Sequence, residues 1–98
     1  MKAQFLVLTN PVAGKEADFH RWYDETHLRE VCEVPGVVSA VRVNAVPGEP
    51  PAYLSCAIYT IDAPVPLAVV EEVKARWRSG RFTLTDAMEA DILMQLYA

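Results

Sequence analysis

The chain has 98 residues, 52% hydrophobic and 22% charged, which describes one globular domain, residues 1–98, able to bury about two-thirds of its unfolded surface. A net charge of −4 with no basic run argues against nucleic acid as a partner. Cys32 and Cys56 form no Cys-x-x-Cys or Cys/His spacing, so no metal site is expected and both read as small core hydrophobes.

In chain order, Phe5-Leu6-Val7-Leu8 ends at Thr9-Asn10-Pro11 and predicts a first strand over Ala3 to Leu8. The same run is too short for an export signal or a membrane span, so the cytoplasm is the expected compartment. Turn residues from Asn10 to Gly14 lead into a helix from about Lys15 to Thr26 or His27. A shorter turn over Leu28 to Glu33 follows, and Pro35-Gly36 stops it. The β-branched run Val37 to Val43 predicts a second strand. Val46-Pro47-Gly48-Glu49-Pro50-Pro51 reads as a loop, and Tyr53 to Tyr59 as a third strand paired with the second in a hairpin. Asp62 is expected to cap a second helix with Pro64 in its first turn. Leu67, Val70, Val73, Lys74 and Trp77 supply that helix's stripe, and Gly80 its stop. Arg81 to Ala90 has no clear pattern beyond a short helical turn near Thr85 to Ala90. Ile92 to Tyr97 predicts the last strand.

This order, strand-helix-strand-strand-helix-strand, predicts an α+β, ferredoxin-like βαββαβ fold. Right-handed crossovers place both helices on one face of a four-stranded antiparallel sheet. The other face is not polar. Phe5 and Val7 oppose Leu6 and Leu8, and Ile92, Met94 and Leu96 oppose Leu93 and Tyr97, so a homodimer stacking bare sheets is expected.

The chemistry concentrates in Phe19-His20-Arg21-Trp22-Tyr23-Asp24-Glu25-Thr26-His27-Leu28, which holds both histidines. At about 100° per residue, Phe19, Trp22, Tyr23 and Thr26 share a face. His20 and Asp24, like Tyr23 and His27, are i,i+4, and Asp24 and His27 are i,i+3. One helix edge can thus present an imidazole with a carboxylate and a phenol beside it. A carboxylate there raises the histidine pKa and fixes its tautomer, which suits proton transfer. The alternative is that the polar pairs are merely solvated and the aromatics are core.

The segment Arg21 to Leu28, followed by Val34-Pro35-Gly36-Val37-Val38-Ser39-Ala40, resembles the EthD-like branch of the dimeric α+β barrel superfamily. Asn10-Pro11 and Tyr53-Leu54 are also similar. The resemblance implies a ferredoxin-like protomer, sheet pairing across a two-fold axis, and a cleft for small, often aromatic molecules. It implies Asp24 and His27, with Tyr23, as the candidate site.

The leading functional reading is a cofactor-independent enzyme of isomerase, cyclase or lyase type, acting on a small hydrophobic carbonyl or lactone compound. His27 would be the general base or acid, Asp24 its polarising partner, and Tyr23 an oxyanion donor. Trp22, Arg42 and Tyr59 would contact the substrate. The alternatives are a non-catalytic small-ligand-binding or interaction module, and a haem-linked or cofactor-free monooxygenase, with His20 or His27 able in principle to ligate iron.

Overall fold

Alternating apolar residues and β-branched runs give the four strands, and the computed structural model describes residues 1–48 and 52–98. The elements are β1 (Lys2–Thr9), α1 (Glu16–Trp22), a π turn (Tyr23–His27), α2 (Leu28–Cys32), β2 (Val37–Asn44), β3 (Ser55–Asp62), α3 (Pro66–Arg78) and β4 (Leu93–Tyr97). The sheet order is β2-β3-β1-β4, with every neighbouring pair antiparallel. This is the expected ferredoxin-like α+β arrangement. Of the expected loop over 46–51, Glu49, Pro50 and Pro51 lie outside the described residues. Among the described residues, no helix is long and apolar enough to cross a membrane.

The side-chain alternation of β1 sends Ala3, Phe5 and Thr9 to the helix-covered face, where all three are buried. Ser55, Ala57, Tyr59 and Ile61 do the same from β3. Of these, Phe5, Ala57, Tyr59 and Ile61 meet Phe19, Tyr23 and Val31 from the first helical stretch and Val70 and Val73 from α3 in one core.

Several boundaries differ from the sequence reading. The first helical stretch runs unbroken to Cys32, because the residues joining its parts all keep right-handed helical backbone. β3 begins at Ser55, so Tyr53 and Leu54 precede it. The Leu54 N–H is instead held by Asn10 Oδ1 at 2.8 Å. Asp62 ends β3 opposite Lys2 and caps nothing. α3 starts at Pro66, where proline's missing N–H costs no helical bond. In α3, Val69, Val70 and Val73 are buried, whereas Leu67, expected in the stripe, is 56% exposed. Residues 81–92 form no helix; Met88 makes an isolated antiparallel bridge to Pro11.

Gly36 turns the chain from α2 into β2 with φ of 98°. A Cβ there would lie 2.7 Å from Val69 Cγ2, so glycine serves both the backbone and the close approach of α3.

The opposite sheet face carries two apolar rows. The register aligns Val41, Ile58 and Leu6 in one and Val43, Cys56, Leu8 and Leu93 in the other. Val41, Val43 and Leu93 are exposed, at 55%, 52% and 49%.

Candidate functional site

A cavity of about 290 Å³ lies between the helices and the sheet. Phe5, Val7, Thr9 and Tyr59 reach it from β1 and β3, and Tyr23, His27 and Val31 from the first helical stretch. Val73, Lys74, Trp77 and Arg78 come from α3, and Phe82, Met88 and Ile92 from the irregular segment before β4. Most of this lining is apolar, and its polar groups come from β1, β3, the first helical stretch and α3.

The π turn aims His27. The Leu28 N–H bonds to the Tyr23 carbonyl, an i to i+5 closure that widens the helix. Residues five apart then come into register. Trp22 and His27 stack accordingly, with ring centres 4.5 Å apart and 15° between planes. Trp77 and Phe82 meet the imidazole edge-on.

Among the described residues, three buried side-chain polar atoms have no hydrogen-bond partner: Thr9 Oγ1, His27 Nδ1 and the Tyr59 hydroxyl. All three belong to cavity-lining residues. A buried polar atom without a protein partner costs about 1–3 kcal/mol, so three on residues around one space leave hydrogen-bonding capacity that the fold itself does not use. Burial drives His27 down to about 4, with Glu30 opposing weakly, so the ring is neutral at pH 7. Burial also raises Tyr23 and raises Tyr59 further, so both phenols keep their protons as donors. The nearby hydroxyls of Tyr59 and Thr9 temper the rise at Tyr23. No hydrogen bond of good geometry satisfies Tyr59 or Thr9.

Of the six residues singled out in the sequence, Tyr23, His27 and Tyr59 line the cavity, whereas Trp22, Asp24 and Arg42 do not. Trp22 backs His27 and donates its Nε1–H to the Thr83 carbonyl at 2.9 Å. The expected contact between Asp24 and His27 is not made. The π turn separates residues that a regular helix would align, and Asp24 instead accepts two bonds from Arg42, at 2.8 and 2.9 Å. Arg42, chiefly through those bonds, holds the Asp24 carboxyl below its ordinary range. The expected rise in the His27 pKa is accordingly reversed.

Arg42 itself is saturated. Its remaining bonds go to Asn44 Oδ1, Ser55 Oγ and His20 Nδ1, at 2.8, 3.1 and 2.9 Å. All five N–H groups of the guanidinium are thus engaged, and its side chain is 4% exposed. Because a guanidinium only donates, His20 Nδ1 accepts, which fixes its Nε2–H tautomer. The Phe19 and Tyr23 rings cover the cation at 5.6 and 5.3 Å. Arg42 is therefore a clasp between β2 and the first helical stretch, with no N–H left for a ligand.

Thr9, Trp77, Phe82 and Met88 are site residues that the sequence reading missed. For Thr9 a signal existed, a polar residue in phase with Phe5 and Val7. Phe82 and Met88 sit in a segment with no periodicity. Long-range bonds pin that segment. Glu30 accepts from the Thr83 N–H and hydroxyl at 2.9 and 2.8 Å, Val12 N–H donates to the Ala87 carbonyl at 2.7 Å, and Glu89 N–H to the Asn10 carbonyl at 2.9 Å.

No protein-family model and no curated protein matches the chain. Solved structures do. A candidate monooxygenase from Shewanella loihica PV-4 superposes with a TM-score of 0.68 at 13% identity, covering 99% of this chain and 92% of that one. An ethyl tert-butyl ether D (EthD) family protein from Bacillus halodurans C-125 superposes with a TM-score of 0.59 at 13% identity, covering 97% of each chain. At that identity the likeness establishes the fold, and it agrees with the EthD-like, dimeric α+β barrel resemblance of the helix motif.

Proposed function

We propose that the protein binds a small hydrophobic carbonyl compound in this cavity and catalyses a cofactor-independent proton transfer on it, of isomerase, cyclase or lyase type. The observation that supports this reading is that three unpartnered, buried polar atoms belong to residues lining one apolar cavity. In the proposed step, the carbonyl oxygen accepts from the Tyr59 hydroxyl, assisted by Tyr23 and Thr9. His27 Nδ1 removes a proton from the adjacent carbon. Neutral His27 is available as the acceptor at pH 7, and the enolate that forms beside it favours the imidazolium. Asp24 and Arg42 act as positioning residues, holding the π turn that carries Tyr23 and His27. Trp22 supports the imidazole from behind.

Solvent deuterium exchange into an aromatic ketone such as 2-tetralone, followed by NMR, tests the reading. Wild type should accelerate exchange, and His27→Gln should reduce the acceleration by about 10² to 10⁴. Binding without accelerated exchange would instead favour the non-catalytic binder. A second reading, cofactor-free oxygenation, draws support from the Shewanella neighbour, because the same deprotonated substrate can react with O₂; oxygen uptake in the same samples distinguishes it. Haem fits these residues poorly. His20 Nδ1 is engaged by Arg42, and a space of about 290 Å³ is at the small end for ligand pockets.

The proposed assembly is a homodimer through the two apolar rows of the bare sheet face. Both cysteines are free, which fits the reducing cytoplasm as the proposed compartment.

A further inference from the structure

The cavity is electrically lopsided. Its lining includes two cationic residues, Lys74 and Arg78, and no carboxylate. This stands out in a chain with 13 acidic and 9 basic residues. Lys74 and Arg78 are i,i+4 on α3, so their like charges are neighbours and repel one another. The other cations near the end of the helix are paired: Arg76 and Arg81 both meet Glu72, at 3.1 and 3.8 Å. Among the described residues, neither Lys74 nor Arg78 has an acidic group within 4.0 Å. Arg78 lies in the last turn, where any cation is favoured by the helix dipole. Lys74 lies a turn earlier, beyond the reach of that effect.

The two cations also stand at the right depth. Lys74 is half-buried and Arg78 exposed, whereas Thr9 and Tyr59 are each only 1% exposed. Lys74 and Arg78 are thus the more exposed, cationic part of the lining, and Thr9, His27 and Tyr59 its buried, uncharged polar part.

We infer that the natural ligand is a hydrophobic carboxylate, its anion held at the mouth by Lys74 and Arg78 and its uncharged polar oxygen directed to Thr9, His27 and Tyr59. This rests on the reading of the cavity as a ligand site and adds the ligand's charge and direction of entry. A carboxylate between the two cations relieves their repulsion and accepts charge-assisted bonds from both.

Calorimetric titration at pH 7 with 2-naphthoate and its neutral counterpart 2-naphthamide tests the inference. Wild type should bind the carboxylate roughly five- to twentyfold more tightly than the amide. Raising the salt concentration should narrow the gap, since the cationic end is partly solvated. Lys74→Met combined with Arg78→Met keeps the aliphatic stems and should abolish the preference while leaving amide affinity unchanged. Equal affinity for the two probes in wild type, or a preference that survives the double substitution, overturns the inference yet leaves the cavity reading intact. Failure of both probes to bind overturns both.

Discussion

At the scale of single residues, Arg42 rather than His27 holds the Asp24 carboxylate that the sequence places beside the imidazole. His27 is walled in by rings, and burial holds it neutral to about pH 4. Its ordinary value is 6.5, so between those limits the unfolded chain takes up a proton that the folded protein refuses. Stability from this group is therefore full above about pH 6.5 and falls as pH drops toward 4. The whole span corresponds to roughly 3 kcal/mol. His27→Gln should flatten that part of a melting-temperature profile; a wild-type profile level from pH 7 to 4.5 would contradict the burial argument. Asp24, with its lowered pKa, contributes in a separate window below about pH 4, where protonation weakens its pairing with Arg42. Arg42→Met should cost about 1–3 kcal/mol, because buried Ser55 loses its donor and Asp24 its cation, and should weaken ligand binding only indirectly, through the π turn. A variant as stable as wild type that no longer binds ligand would restore Arg42 to direct contact.

At the scale of elements, legibility followed periodicity. β1, β2 and β4 stood out through apolar or β-branched runs, and α3 through its stripe, although Pro66 rather than Asp62 sets its start. The π turn left no such mark. Tyr23 to His27 has ordinary helical composition, so a pitch of 100° per residue aligned Asp24 with His27 when the fold aligns Trp22 with it. The segment over 81–92 was unreadable for another reason. Its conformation depends on distant partners, Glu30, Asn10 and Val12, with no local pattern. The Gly36 turn was legible as a stop but not as a contact. Gly36→Ala should destabilise by about 1–3 kcal/mol, from positive φ and from the clash with Val69 combined. Thermal denaturation measures this. If the clash dominates, Val69→Ala in the same chain should recover part of the loss; no recovery would assign the cost to the backbone alone.

At the scale of the whole molecule, one sheet face is covered by helices and encloses the cavity, while the other presents Val41, Val43 and Leu93 to solvent in aligned rows. Sedimentation at micromolar concentration should give twice the chain mass, with an interface on the order of 2,000 Å² or more. Ile58→Lys should produce monomers, and a wild-type monomer would contradict the proposed pairing. The central claim concerns the covered face: its unpartnered polar atoms serve a ligand rather than the fold. Tyr59→Phe tests this most directly, since it removes a buried hydroxyl that has no partner and keeps the ring. Melting temperature and calorimetric affinity for 2-tetralone should move in opposite senses. Without ligand, the variant should be more stable by about 1 kcal/mol, and its affinity should fall roughly fivefold. A less stable variant that binds 2-tetralone as wild type does would make the Tyr59 hydroxyl a structural group and contradict the account.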